Sequence, residues 1–535
     1  MQAIIKRFNY LFGSTKGLVL TAIALISLVT AIWGMLSGPM VEWGVKDVVV
    51  RLLGMKLVPA EREGRIIMLY HTIAMAVVAI EVYLITDIVR MKRYQQVMVN
   101  ATITVGYMLA MFFGLGFAYF GHNFTFHGLF LVGQSLVFFS GVLLAVFLWP
   151  WKKEYHVTDP AYAHTKGGVD LERVAFFTMT VAMLGSAIFG AVTGAHWGQG
   201  HETFLAEDLI REPHKTPLQL AIIGHLHIML TLIAVAITLI VGRWLDFKGL
   251  LHKIAMPFMI VGIIIITIGV WMVVPFEEIA HMIIYGGAVF TMLAALMFVI
   301  FSWDKMIKEG LAKKGIEKAN VLQKIGALLH DPLKFGVGWQ MVFMNFTVSG
   351  VGIFTAITLE KLARVWPARE ERIMLTGHWH ILSALIATII LLYYGDLTGL
   401  KGRIRQIYGW VIIIGSDIAF ASATVFSFKR MFVSELAQQP VVDATMFFID
   451  LGLGAILVVL AMLMVWRLVD LFKEKGLWAQ EYEEERQELI MQEAEEQKRR
   501  LEELLTALKE KGGLDEATRK EMEALAKALS QEVSQ

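Results

Sequence analysis

The chain has 535 residues, of which 56% are hydrophobic and only 18% charged, with a formal net charge of +1 and a mean hydropathy of +0.61. Soluble domains carry about 25% charge, so a soluble enzyme is disfavoured from the outset. A disordered or nucleic-acid-binding chain fits neither the neutral balance nor the lack of a basic block before the last third. There is no cysteine, and there are 15 histidines. That excludes iron–sulfur clusters, disulfides, thiolate zinc sites and the Cys-x-x-Cys-His attachment of c-type haem, and leaves His, Met, Tyr or carboxylate to hold any metal or cofactor.

A membrane-crossing helix takes about 20 mostly apolar residues. Twelve runs qualify: 17–37, 65–89, 98–120, 126–150, 172–195, 218–242, 252–274, 279–302, 338–359, 372–395, 404–427 and 443–471. The first follows Lys6, Arg7 and Lys16. It is longer than a signal-peptide core and has no convincing small-residue cleavage site, so it counts as a span. The predicted fold is an all-α integral membrane domain over residues 1–473, followed by a charged helical tail over 474–535.

Basic residues in short loops set orientation. Arg90, Lys92 and Arg93, then Lys152, Lys153 and Lys166, then Arg243 and Lys248, then Lys305, Lys308, Lys313, Lys314 and Lys318 all fall in loops on the N-terminal side. Loops 121–125 and 275–278 on the other side carry none, although Arg51, Lys56, Arg62 and the segment Lys361 to Arg372 run against the trend. Both termini are expected to be cytoplasmic. In the tail, Leu501, Leu504, Leu505 and Leu508 recur at helical spacing until Gly512–Gly513, which predicts a helical hairpin or short coiled coil, or simply a solvated amphipathic tail.

An ionisable residue inside a span is a functional candidate. His71 lies in span two, His225 and His227 in span six within Gly224-His225-Leu226-His227, and His378 and His380 in span ten within Gly377-His378-Trp379-His380. These spans enter from the outer face, so the five histidines share one depth. His122, His127, His196, His201, His214 and His281 fall toward the same face, whereas only His156, His164, His252 and His330 fall on the other. A lone histidine of this kind is ordinarily a hydrogen-bonded core residue. Two His-x-His pairs and a third His at one depth favour haem ligation instead. Residues two apart on a helix point about 200° apart, so each pair can serve two centres, one on either side, and cannot readily chelate one ion. The glycine before each pair lets a bulky flat cofactor approach the backbone.

Spans two, six and ten also resemble each other. Arg65-Ile-Ile-Met-Leu-Tyr-His71, Leu220-Ala-Ile-Ile-Gly-His225 and Arg372-Ile-Met-Leu-Thr-Gly-His378 recur at a step of four spans. Twelve spans then divide into three pseudo-symmetric four-helix arcs, with a histidine helix second in each.

This plan resembles the catalytic subunit of the haem–copper oxidase and nitric oxide reductase superfamily, cytochrome oxidase subunit I-like. His378-Trp379-His380-Ile381-Leu382-Ser383 is similar to the family's span-ten motif, and Phe298-Val-Ile-Phe-Ser302-Trp303-Asp-Lys to its end of span eight. The resemblance implies that His71 and His380 hold a six-coordinate low-spin haem and that His378 is the axial ligand of a five-coordinate haem where NO or O2 is reduced. The chain departs from the pattern in lacking a His-Pro-Glu-Val-Tyr motif in span six and any His-His pair after span seven. The nearest equivalent is Val274-Pro275-Phe276-Glu277-Glu278-Ile279-Ala280-His281. A second metal held by His225, His281 and Glu277 or Glu278 would suit non-haem iron better than copper; without it, His225 or His227 can serve another haem. Glu277 and Glu278 read equally well as a solvated turn. Glu81, Asp417 and Asp450 lie within spans as proton-carrying or neutral interior residues.

Three functions follow as expectations. The first is a respiratory oxidoreductase of a prokaryotic plasma membrane, with two or more b-type haems, fed by quinol or a cytochrome c-like donor subunit. The second is a multi-haem electron-transfer subunit without gas chemistry, and the third a histidine-dependent transporter. Haem content and its reactivity with carbon monoxide separate the three.

Overall fold

The structure, a computed structural model, describes residues 2–36, 39–41, 43–197, 217–358, 366, 368–511, 520 and 524. Twelve of its helices are long and apolar enough to cross a membrane: Thr15–Gly34, Gly64–Ile88, Arg93–Tyr119, Phe124–Leu148, Leu171–Val192, Leu220–Trp244, Leu250–Met272, Glu277–Lys313, Pro332–Thr355, Thr376–Leu397, Gly402–Met431 and Glu435–Phe472. They are numbered here as spans 1 to 12. Among the described residues the only β pairing is one isolated bridge between His164 and Asp170. The protein is thus an all-α, multi-pass membrane protein whose outer helix faces meet lipid.

Each predicted run overlaps one span; spans 3 and 12 start earlier than their runs, at Arg93 and Glu435, and the differences at spans 8 and 9 have clear physical reasons. Span 8 has 37 residues, about 55 Å at 1.5 Å per residue, against a hydrocarbon core of about 30 Å. Lys305, Lys308 and Lys313 therefore ride on its projecting end and are not in a loop. There Lys305 Nζ donates to Leu245 O at 3.0 Å and pairs with Asp246 at 3.1 Å. Span 9 begins at Pro332, earlier than the apolar run, because Asp331 caps it. The Asp331 carboxylate accepts from Leu333 N at 3.2 Å, and Pro332 fills a first-turn position where its missing N–H costs nothing. Arg405 Nε and Nη2 also donate to Asp331 Oδ1, at 3.1 and 2.9 Å, which ties span 11 to the start of span 9.

In lipid no hydrophobic force drives helix against helix, so contact depends on small residues that let backbones approach. A Cβ on Gly133 of span 4 would sit 2.4 Å from Ala110 N of span 3. One on Gly287 of span 8 would sit 2.7 Å from Ile266 N of span 7, and one on Gly452 of span 12 would sit 2.3 Å from Gly415 O of span 11. These sequential pairs are the seams of the bundle. The contacts that matter for the histidines join more distant spans: span 2 packs on span 6, and span 6 on span 10.

The chain divides into two compact units, Thr21–Met464, which holds most of the bundle, and Met1–Leu20 together with Val465–Gln535. The second unit is built on a buried ionic cluster. Arg467 is 1% exposed and Glu481 3%; Arg467 Nη2 donates to Glu481 Oε2 at 2.6 Å, and Tyr10 OH donates to the same oxygen at 2.6 Å. Asp470 accepts from Leu477 N and Trp478 N at 2.8 and 2.9 Å, so it starts the tail helix Leu477–Lys511. The tail thus packs with the N-terminal helix Gln2–Gly13, and the compact unit takes in both. The helix runs unbroken to Lys511. Gly512–Gly513, and with them most of the second arm expected of a hairpin, lie outside the described residues.

Removing Glu481 takes away the close carboxylate of the buried Arg467 guanidinium and leaves it a 3.8 Å pair with Asp470, a loss of up to about 3–5 kcal/mol. Glu481→Ala is expected to open the root of the tail to trypsin at Lys473 and Lys475. Glu483→Ala, which removes only exposed pairs with Lys6 at 3.9 Å and Arg486 at 3.7 Å, is expected to leave the digestion pattern unchanged. Equal digestion of the two variants would contradict this account.

Candidate functional site

The three histidine-bearing helices begin at Arg62, Pro217 and Ala368. His71, His225 and His378 fall eight to ten residues later, so each lies roughly 12–15 Å along its helix. Equal depth and the packing of span 6 between spans 2 and 10 bring their rings together in two cross-span pairs. The His71 and His225 ring centres are 6.4 Å apart, and those of His227 and His378 are 6.2 Å apart.

Span 6 presents its two histidines to opposite sides, as a 200° separation requires. His225 turns toward spans 2 and 5, where its Nδ1 lies 2.8 Å from Ser186 O. A carbonyl can only accept, so that nitrogen carries the hydrogen and Nε2 keeps the lone pair. Gly190, one turn further along span 5, makes room for the ring: a Cβ there would come within 2.5–2.7 Å of three ring atoms of His225. His71 also has Phe130 of span 4 edge-on at 6.5 Å.

His227 turns toward span 10. Its Nδ1 lies 2.8 Å from Ile223 O in the preceding turn, and its Nε2 accepts from Trp379 Nε1 at 2.9 Å, with the two rings perpendicular at 4.6 Å. His378 lies near this bond, its ring centre 6.2 Å from that of His227 and 5.6 Å from that of Trp379. Its Nδ1 is buried without a hydrogen-bond partner, and its ring lies against Gly352 of span 9, whose Cβ would be 3.4 Å from Nε2. Span 9 passes through a π-helical turn at Phe343–Val348 just before Gly352, a distortion often found at functional sites. His380 points to the opposite side of span 10. Its Nδ1 lies 2.8 Å from Thr376 O, and its exposed ring meets Tyr70 of span 2 edge-on at 5.4 Å.

The remaining candidates are placed apart from these pairs. Glu277 and Glu278 are exposed in the first turn of span 8, and His281 stacks on Tyr285 at 6.4 Å. Among the described residues no three of His, Cys, Asp and Glu gather as a metal-holding group, so the set His225, His281 and Glu277 or Glu278 is not assembled. His127 stacks on Phe117 at 5.1 Å, and His122 Nε2 lies 3.7 Å from Glu61. His201 and His214 lie outside the described residues, as does the side chain of His196. Of the interior acids, Asp417 accepts from Trp339 Nε1 at 3.0 Å, Glu81 is buried with both oxygens unpartnered, and Asp450 is exposed.

Residue type pointed to the histidines but not to what orients them. In the sequence Trp379 stands only as the middle residue of the His378-Trp379-His380 motif, with no role of its own. Ser186 acts through its backbone, which no side-chain pattern reveals, and Gly190 and Gly352 matter only because a ring happens to face them.

A methyl group at position 190 must displace His225 and its bond to Ser186. Gly190→Ala is expected to destabilise the bundle by about 1–3 kcal/mol, the usual range for overpacking. Gly128→Ala, where nothing lies within 4 Å, is expected to be neutral. Thermal unfolding in detergent, followed by tryptophan fluorescence, compares the two, and equal midpoints would refute the placement of His225. A scan against protein-family models finds no match for this chain, and a search of curated proteins finds no relative, so a functional reading rests on these residues and their geometry.

Proposed function

We propose that the protein is a haem-binding membrane oxidoreductase that passes electrons between histidine-ligated centres held among spans 2, 6 and 10. The observation that carries this reading is the spacing of the His71–His225 ring pair. An imidazole nitrogen sits about 2.0 Å from a metal it ligates, which puts two imidazoles on opposite sides of one metal about 6 Å apart between ring centres. The His71 and His225 rings stand at 6.4 Å, and His378 offers a second centre one buried, unsatisfied Nδ1. The donors also fit a haem iron: neutral imidazoles inside an apolar bundle, with His225 Nδ1 committed to a carbonyl so that Nε2 is the ligating atom. In a chain without cysteine any such haem is held without thioether bonds, as b-type haem is.

Haem bound at these sites would supply a one-electron iron couple and, where an axial position is open, a place for NO or O2. The protein's own residues orient the imidazoles, exclude water along the spans and set which positions are filled. The resemblance to the haem–copper oxidase and nitric oxide reductase superfamily assigns the six-coordinate haem to His71 and His380. The ring geometry favours His71 and His225, with His380 meeting Tyr70 of the same span as His71. Packing of span 2 on span 6 and of span 6 on span 10 supports a three-arc arrangement around the histidine helices. Electrons would enter from quinol or a cytochrome c-like subunit in a prokaryotic plasma membrane, with both termini cytoplasmic. A second reading, an electron-transfer subunit without gas reduction, is favoured by the lack of a three-ligand metal group among the described residues.

The test is a dithionite-reduced optical spectrum with a haem count. The expected result is haem in the wild type, loss of the low-spin species in His71→Ala and His225→Ala, and its retention in His380→Ala. Loss in His380→Ala with retention in His225→Ala would assign the pair as the superfamily resemblance does. A haem-free protein would sink the reading.

A further inference from the structure

The two histidine pairs are alike in spacing but differ in what surrounds them. In the His227–His378 pair both nitrogens of His227 are occupied. Nδ1 faces the Ile223 carbonyl at 2.8 Å and therefore bears the hydrogen, and Nε2 receives the indole N–H of Trp379 at 2.9 Å. A neutral imidazole has one lone pair, so it cannot accept that N–H and bind a metal at the same time. His378 is in the opposite condition, with a buried Nδ1 that no group satisfies. In the His71–His225 pair only the Nδ1 of His225 is committed, to the backbone of Ser186, which leaves Nε2 its lone pair.

We infer that Trp379 is a positioning residue that keeps His227 off the metal carried by His378, so that this centre has an open axial position for a small diatomic ligand while the centre at His71 and His225 is closed by two imidazoles. The inference rests on the haem-binding reading and adds what decides coordination number at the second site. The placement is economical in sequence. Trp379 follows His378 directly, with the rings 5.6 Å apart, so one turn of span 10 supplies both the ligand and the group that blocks its counterpart across the helix interface. An indole suits the task because it offers a single N–H and no lone pair of its own.

The experiment uses the intact protein in detergent, with carbon monoxide as the probe of an open position and low-temperature electron paramagnetic resonance as the probe of spin state. In the wild type, part of the reduced haem should bind carbon monoxide. Trp379→Phe keeps the ring and loses the N–H; it should lose at least about tenfold of that carbon monoxide-binding fraction and gain low-spin ferric signal as His227 swings in. Trp379→Phe combined with His227→Leu should recover wild-type binding, and His227→Leu alone should bind as the wild type does. Unchanged binding in Trp379→Phe, failure of the double variant to recover, or a spin-state change in His227→Leu alone would each overturn the inference. Wild-type haem that binds no carbon monoxide would overturn it while leaving haem binding intact, and a protein without haem would overturn the reading beneath it.

Discussion

A histidine inside a membrane-crossing helix has two ring nitrogens and no water to satisfy them, and the arrangement of this bundle around its centre follows from that constraint. Each ring nitrogen is settled by a carbonyl, by an indole, or by nothing in the protein. The Ser186 carbonyl takes one nitrogen of His225, the Ile223 carbonyl one of His227, and the Thr376 carbonyl one of His380. These bonds fix the tautomers and leave a lone pair at a defined place on each ring. Burial of an unpaired polar atom is costly, so the unsatisfied Nδ1 of His378 is the feature that most calls for a partner from outside the chain.

The packing of the spans turns this local chemistry into a site. Small residues let sequential helices approach within backbone contact, as at Gly133, Gly287 and Gly452. That leaves span 6 in contact with both span 2 and span 10. A His-x-His pair on the shared helix then faces two neighbours at once, and the same motif on span 10 faces span 6 with His378 and span 2 with His380. Gly190 and Gly352 belong to the same scheme, since each gives a histidine ring space that a side chain would fill.

Much of this was legible in the sequence because it depends on local rules. The length and hydropathy of the runs gave twelve spans, and 100° per residue gave opposite faces for His225 and His227 and for His378 and His380. The partners of those histidines were not legible. That His71 meets His225, and that Trp379 reaches His227, depends on how spans packed in three dimensions rotate against each other, and a single chain carries no signal of it. The buried Arg467–Glu481–Tyr10 cluster escaped for a similar reason: its three members come from the two ends of the chain, and each alone reads as an ordinary residue of an amphipathic helix. The helical extension of span 8 was masked by its charges, which mimic a loop although they continue an unbroken helix.

The claim at the centre of this account is that imidazoles from two different spans share one iron. Near-infrared magnetic circular dichroism of the oxidised protein reads axial ligands directly. The account predicts a bis-imidazole low-spin ferric haem whose signature is lost when either His71 or His225 is replaced. A haem with any other axial pair, or no haem signal at all, would contradict it.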